Sequence, residues 1–212
     1  MTQADIDGRS SRWDRHREER YAALVAASVR AIDQHGPDVA IATIAAEAGV
    51  SKPVLYRYFS DKHELHAAVG RWGATEVVDG MVPAFLIDTT VRERIRGAMG
   101  AYLGVIEEHP QVFNLLVRQR GGHDPLADGK ARIVEAINQI LSGSLHRLEV
   151  DPDGIEAWSQ GMVGLALTTG EWWLETGALS RTEVRDQLAD FIWHAFGGLV
   201  RERGADLSVL DA

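Results

Sequence analysis

The chain has 212 residues, a net charge of −9 and no cysteine. The length fits one domain or two, each able to bury a core, and 45% hydrophobic with 25% charged residues excludes long disorder. The missing cysteine excludes disulfides, thiolate chemistry and Cys-ligated metal.

No run of about 18 apolar residues predicts a membrane span, and Met1–Trp13 lacks the apolar core of a secretory leader, so a cytoplasmic, membrane-free location is expected. The acidity is uneven. Residues 1–70 carry nine Lys/Arg and ten Asp/Glu, so most of the negative charge falls beyond them. An acidic body with a locally basic head remains compatible with nucleic-acid phosphates.

Residues 1–13 show no apolar period and are expected to form a flexible arm. A helix is predicted over 14–35, where Tyr21, Leu24, Val25, Ser28, Val29 and Ile32 recur at three- and four-residue steps. Gly36 and Pro37 stop it. A second helix covers 41–48, with Ile41, Ile44, Ala45 and Ala48 inward. Gly49 supplies a turn at positive φ, Ser51 is the expected N-cap of a short third helix, and Pro53 is tolerated in its first turn. Asp61 and Glu64 have capping-box spacing for a fourth helix reaching about 78. Beyond Pro83, helices are expected near 89–108, 110–119, 128–149, 154–176 and 181–203, separated by segments rich in Gly, Pro and Asp. A tail over 206–212 is expected to be loose. With no strand-type alternation, the predicted class is all-α with about nine helices, a helix-turn-helix head over 14–70 and a body over 71–205.

The stretch TIAAEAGVSKPVLYRYFSDK at 43–62 carries the most information. With Ala22, Ala23, Ala31, Gly36, Glu64, Leu65 and Val69, it makes Arg20–Trp72 resemble the head of the TetR family of one-component bacterial regulators. The resemblance implies a homodimer that reads double-stranded operator DNA. It also implies a small-molecule effector in a helical cavity and a four-helix interface built from the last two long helices. Ligand binding would then shift the heads and release DNA, usually relieving repression. Two positions depart from the pattern. Ala40 stands where a Ser or Thr cap is common, and Ala42 where an arginine often follows, which shifts weight toward the third helix and the arm.

In the head, Lys52 can reach a guanine edge or a phosphate, and Pro53 and Val54 can meet thymine methyls. Tyr56 and Tyr58 can donate to phosphates, Lys62 can clamp the DNA backbone, and Ser51 and Thr43 offer hydroxyls beside them. Leu55 and Phe59 point to the core. Rings at such an edge are often half-buried packing, but the motif context favours DNA contact by Tyr56. Arg57 reads as solvated or paired within the chain. Arg9, Arg12, Arg15, Arg17 and Arg20 could enter a minor groove, against the plainer reading of a solvated helix start interleaved with acids.

In the body, Val91, Ile95, Met99, Tyr102 and Ile106 form one stripe. Large aromatics beside glycines in 154–176 read as a cavity or as close helix packing; together with the architecture the resemblance implies, they favour an apolar pocket lined by Tyr102, Ile106, Phe113, Leu116, Val117, Trp158, Met162, Leu165 and Trp172. Asn114, Arg118 and Glu171 are candidate polar anchors, and the few inward charges suit a lipophilic effector such as an acyl chain. The dimer face is expected on Ala157, Gly161, Gly164 and Thr168 opposite Leu188, Phe191, Ile192, Ala195, Phe196 and Leu199.

An enzyme is disfavoured, because GxSxG, a P-loop and GxGxxG are all missing. His63 and His66 are one residue short of the HExxH spacing, so no metal or cofactor is expected. An acidic body argues against a non-specific architectural DNA protein. A lipophile-binding dimer with a degenerate head is the remaining alternative.

Overall fold

The computed structural model describes residues 3–117 and 124–211, with side chains from residue 15 onward. The described residues form nine α-helices: α1 (Gln3–His35), α2 (Ile41–Glu47), α3 (Lys52–Tyr56), α4 (Lys62–Met81), α5 (Val91–Glu108), α6 (Pro110–Val117), α7 (Ala127–Arg147), α8 (Ile155–Thr176) and α9 (Arg181–Glu202). A 3-10 turn at Val82–Leu86 joins α4 to α5, and a second at Leu207–Asp211 follows α9.

Local chemistry sets most of these boundaries. Gly36 stops α1 at φ +86°, its N–H bonded to the Ile32 carbonyl at 2.7 Å. At the start of α4, Asp61 Oδ1 accepts from Glu64 N at 2.8 Å. The Glu64 carboxylate reaches back to the Ser60 N–H, one residue earlier than a capping box requires. Thr90 caps α5 and Ser180 caps α9, the latter as a full box with Glu183.

Three expectations are corrected. α1 begins at Gln3, so the segment expected as an arm continues the helix; it contains no proline, and extending an existing helix costs far less than nucleating one. Ser51 occupies the N-cap of α3 but makes no side-chain capping bond. The 206–212 tail is also not loose as far as Asp211. Leu207 and Leu210 are 3% and 2% exposed, Val91 N donates to Asp211 Oδ1 at 2.6 Å, and Arg94 Nη1 donates to the Leu210 carbonyl at 3.3 Å. A five-residue turn is too short to show a period in sequence. Burying two leucines at about 1.5–3 kcal/mol each nevertheless fixes it.

Two apolar cores result. The head core joins Leu24, Ile32, Ile44, Leu55, Phe59, Leu65 and Val69 to Val112, Leu115 and Leu116 of α6. The body core is built on α5, which packs along α9. α4 runs through both, contributing Leu65 and Val69 to one and Val77 and Met81 to the other. α7 starts beside the middle of α4, where Arg71 meets Asp128 at 3.0 Å, and runs alongside it away from the head. α5 returns toward the head. The α4–α7 crossing is close enough that a Cβ on Gly70 would strike the Pro125 carbonyl, and one on Gly129 would lie 2.9 Å from the Gly70 oxygen.

Replacing Gly70 by alanine must therefore push backbone apart. Gly70→Ala is expected to destabilise by about 1–3 kcal/mol, read as a lowered thermal midpoint. A second expectation concerns acid. Glu64, Glu183, Asp190 and Asp206 are held below the ordinary carboxylate range by hydrogen bonds: from Ser60 N–H, from Ser180, from Arg92 and from Ser208 N–H respectively. A depressed folded pKa gives stability that is present above the unfolded value and lost as pH falls. The thermal midpoint should drop as pH is lowered below about 4.5, and Asp190→Asn should flatten part of that slope.

Candidate DNA-reading face and ligand cavity

α2 and α3 are held by the turn that the sequence predicts. Gly49 has φ +63°, and Val50 N bonds to the Ala45 carbonyl at 2.9 Å. Leu55 and Phe59 are each 1% exposed, and the Phe59 ring packs on Tyr21 with centroids 5.2 Å apart. The opposite side of α3 is open. Ser51, Lys52, Pro53 and Arg57 are exposed, Tyr56 is 45% exposed, and Thr43, Val54 and Tyr58 are half-buried at the rim. Lys62 is also half-buried, and its ammonium donates to the Val39 carbonyl at 3.2 Å. It ties α4 to the segment entering α2, a role the sequence reading missed. Ala40 is the N-cap of α2 and supplies no side-chain bond. Arg15 and Arg17 are exposed and Arg20 half-buried, while the side chains of Arg9 and Arg12 lie outside the described residues.

The head meets the body at a polar and aromatic seam. His109, between α5 and α6, donates from Nδ1 to Asp33 Oδ2 of α1 at 2.6 Å. Its ring stands edge-on to Trp72 of α4, centroids 4.9 Å apart. These same two rings border a narrow chamber with Ile106, Phe113 and Leu116, about 530 Å³ between its walls counting the space open to solvent.

Further from the head lies a larger, partly open cavity, with about 1040 Å³ between its walls including the mouth. Its apolar walls come from α4 (Val77, Met81), α5 (Ile95, Met99), α7 (Ile133, Ile137, Leu141) and α8 (Met162, Val163). Tyr102 borders both chambers; burial pushes its phenol up, and its hydroxyl donates to the Ala166 carbonyl at 2.8 Å. The polar liners besides Tyr102 are Arg94, Ser144 and Arg147.

The structure therefore brings Tyr102, Ile106, Phe113 and Leu116 together around the inner chamber, and Tyr102 and Met162 at the larger one. The other expected liners are corrected. Val117 packs half-buried on the body core without lining either chamber, and Trp172 is 42% exposed. Trp158, Met162 and Leu165 line an open groove on the outer face of α8 and α9, with Phe191 and Ala195. The same face carries exposed Ala157, Gly161, Gly164 and Thr168, the side expected for dimerisation. On α9 only part of the expected face points there. Phe191 is 61% exposed, Ala195 and Leu199 are half-buried, and Ile192, although 8% exposed and packed in the body core, also lines the groove; Leu188 and Phe196 are buried at 4% and 3% in that core. α9 is apolar on two sides, and a single periodic stripe cannot assign each residue to its side. Arg118 lies outside the described residues. The α7 isoleucines and Arg94 were missed because nothing in their spacing separates a cavity wall from a packed core.

An exposed recognition helix on a compact head, joined through α4 to a separate helical body that encloses a cavity, defines a two-part helix-turn-helix DNA-binding protein. Residues 24–69 match the family described as bacterial regulatory proteins, tetR family, and residues 81–205 match the tetracyclin repressor-like C-terminal domain. The chain belongs to the TetR family of transcriptional regulators. It is 31% identical over 202 residues to an uncharacterized HTH-type transcriptional regulator of Mycobacterium tuberculosis, covering 94% of this chain and 86% of that one. It is 29% identical over 189 residues to the HTH-type transcriptional activator FasR of Mycolicibacterium smegmatis, covering 86% and 83%. Among solved structures, a tetR-family regulator from Streptomyces coelicolor superposes with a TM-score of 0.69 at 25% identity, covering 88% and 86%. FadR from Bacillus subtilis, solved with stearoyl-CoA, superposes at 0.66 and 14% identity, covering 81% and 97%.

Tyr102 offers a direct check of the chamber wall. Tyr102→Phe removes its bond to the Ala166 carbonyl and is expected to cost about 1 kcal/mol in denaturant unfolding while leaving the fold intact.

Proposed function

We propose that the protein is a dimeric, operator-reading repressor of the bacterial cytoplasm, released from DNA by a lipophilic small molecule held in the body. The observation that carries this reading is that one continuous helix, α4, belongs to the head core and to the cavity wall alike. A ligand wedged against Val77 and Met81 bears on the same helix that positions Leu65 and Val69 under the recognition helix. The Trp72–His109–Asp33 seam gives that displacement a second route into α1.

In this reading Lys52, Pro53 and Val54 face base edges, and Ser51, Tyr56, Tyr58 and Thr43 face phosphates. The nearly unbroken apolar lining favours a hydrophobic ligand. The stearoyl-CoA held by the fold-related FadR supports an acyl compound as the first class to try. No helix among the described residues is long and apolar enough to cross a membrane, which suits a partner list of DNA, ligand and a second copy. Activation instead of repression is the second reading, favoured by the activator named among the relatives. A reporter driven by the recovered operator separates the two by the sign of its response.

The primary test is selection of DNA from a random-sequence pool. A palindrome should be enriched, with half-sites about one helical turn apart or slightly more. No enrichment by folded, ligand-stripped dimer would contradict an operator-reading head. On the recovered operator, Lys52→Ala is expected to weaken binding by about 1–3 kcal/mol and Tyr56→Phe by less, measured by fluorescence anisotropy. For the dimer, placing a charge on the open face of α8 and α9 should separate the copies. Phe191→Asp is expected to give a folded monomer in light scattering, because a buried unpaired carboxylate is costly at an apolar interface.

A further inference from the structure

The large cavity carries its charged liners at one end only. Arg94 sits in the first turn of α5 and Arg147 is the last residue of α7, so both lie at the end remote from the head. Arg147 is the one exposed residue among the liners, and it marks the mouth. Exposed Leu86, Ile87 and Val209 flank that end, which makes its surroundings apolar on the solvent side as well.

The C-terminal turn is seated in this mouth in a particular way. Leu210 points an aliphatic side chain into the cavity wall, 2% exposed. Its carbonyl accepts from Arg94 Nη1 at 3.3 Å, and the Asp211 carboxylate accepts from Val91 N at 2.6 Å. Val91 opens α5, where the backbone N–H has no partner within the helix. An aliphatic group in the cavity, an oxygen on a guanidinium and an anion beside it are the three contacts a single-tailed anionic amphiphile would make there.

We propose that the distal mouth framed by Arg94 and Arg147 is the head-group site for a single-tailed anionic amphiphile, and that the Leu207–Asp211 turn is its tethered competitor. The proposal rests on the reading of the body as a lipophile-binding domain and adds which end of the ligand sits where. The ligand's tail runs toward Tyr102 and the inner chamber. Its head displaces the Leu210 carbonyl from Arg94 and releases the turn. The free protein thereby keeps part of its cavity mouth covered by its own chain.

The test is displacement of cis-parinaric acid, a fluorescent polyene carboxylate, from the full-length protein by oleate, oleoyl-CoA and oleyl alcohol. The variants are Arg147→Met and Asp211→Ala, both at exposed positions. Arg147→Met should weaken oleate about tenfold and leave oleyl alcohol within about twofold, since a charge-assisted bond is lost only with the acid. Asp211→Ala should tighten oleate about fivefold by loosening the competitor. A stronger effect of Arg147→Met on oleoyl-CoA than on oleate supports the site and identifies the phosphorylated thioester as the source of the head. Equal effects of Arg147→Met on acid and alcohol, or unchanged or weakened oleate binding in Asp211→Ala, would overturn the proposal while leaving a lipophile cavity standing. Failure of cis-parinaric acid, oleate and the alcohol alike to bind would overturn the lipophile reading itself.

Discussion

A single helix shared by two cores is the constraint on which the rest of this molecule depends. α4 starts under the recognition unit, capped by Asp61, and ends 20 residues later in the wall of the body cavity. Helices are stiff along their axis, and close-packed cores favour discrete arrangements over smooth deformation. In the proposed function this continuity passes a change in the packing of Val77 and Met81 on to Leu65 and Val69. The close crossing at Gly70 and Gly129 packs α7 tightly on α4, and both helices are walls of the same cavity.

The seam beside α4 gives this coupling chemical definition. Asp33 and His109 are each about three-quarters shielded, and their 2.6 Å bond spans the junction of head and body. Trp72 packs edge-on against the same imidazole. Both rings line the inner chamber together with Val112 and Leu116 of the head core. The head core also recruits Val112, Leu115 and Leu116 from α6, so the division at residue 70 drawn from sequence cuts through a continuous apolar cluster.

The head was legible because its constraints are local. Gly36, Gly49, Pro53 and Asp61 each do one thing, and each does it within a few residues of its own position. Helix boundaries in the body were legible for the same reason. What faces what was not. The aromatic and glycine content of α8 reads as a pocket or as close helix packing, and in the structure Trp158 and Leu165 line the outer groove and Trp172 is exposed, while the large cavity is walled mainly by plain aliphatics of α4, α5 and α7. α9 divides its apolar residues between core and surface at steps of one residue, as Phe191 and Ile192 do. The C-terminal turn carries no period at all, and its place is set by partners more than a hundred residues away in sequence, Val91 and Arg94.

The central claim is that cavity and recognition helix are coupled through α4 and the His109 seam. The most direct measurement is operator affinity with and without saturating oleate, in the wild-type protein and in His109→Ala. The account predicts that oleate weakens wild-type binding by about tenfold or more, and that His109→Ala shrinks this factor while still binding oleate and still binding operator. An oleate effect of the same size in both proteins would contradict coupling through the seam. No oleate effect in a wild-type protein that demonstrably binds oleate would contradict coupling altogether.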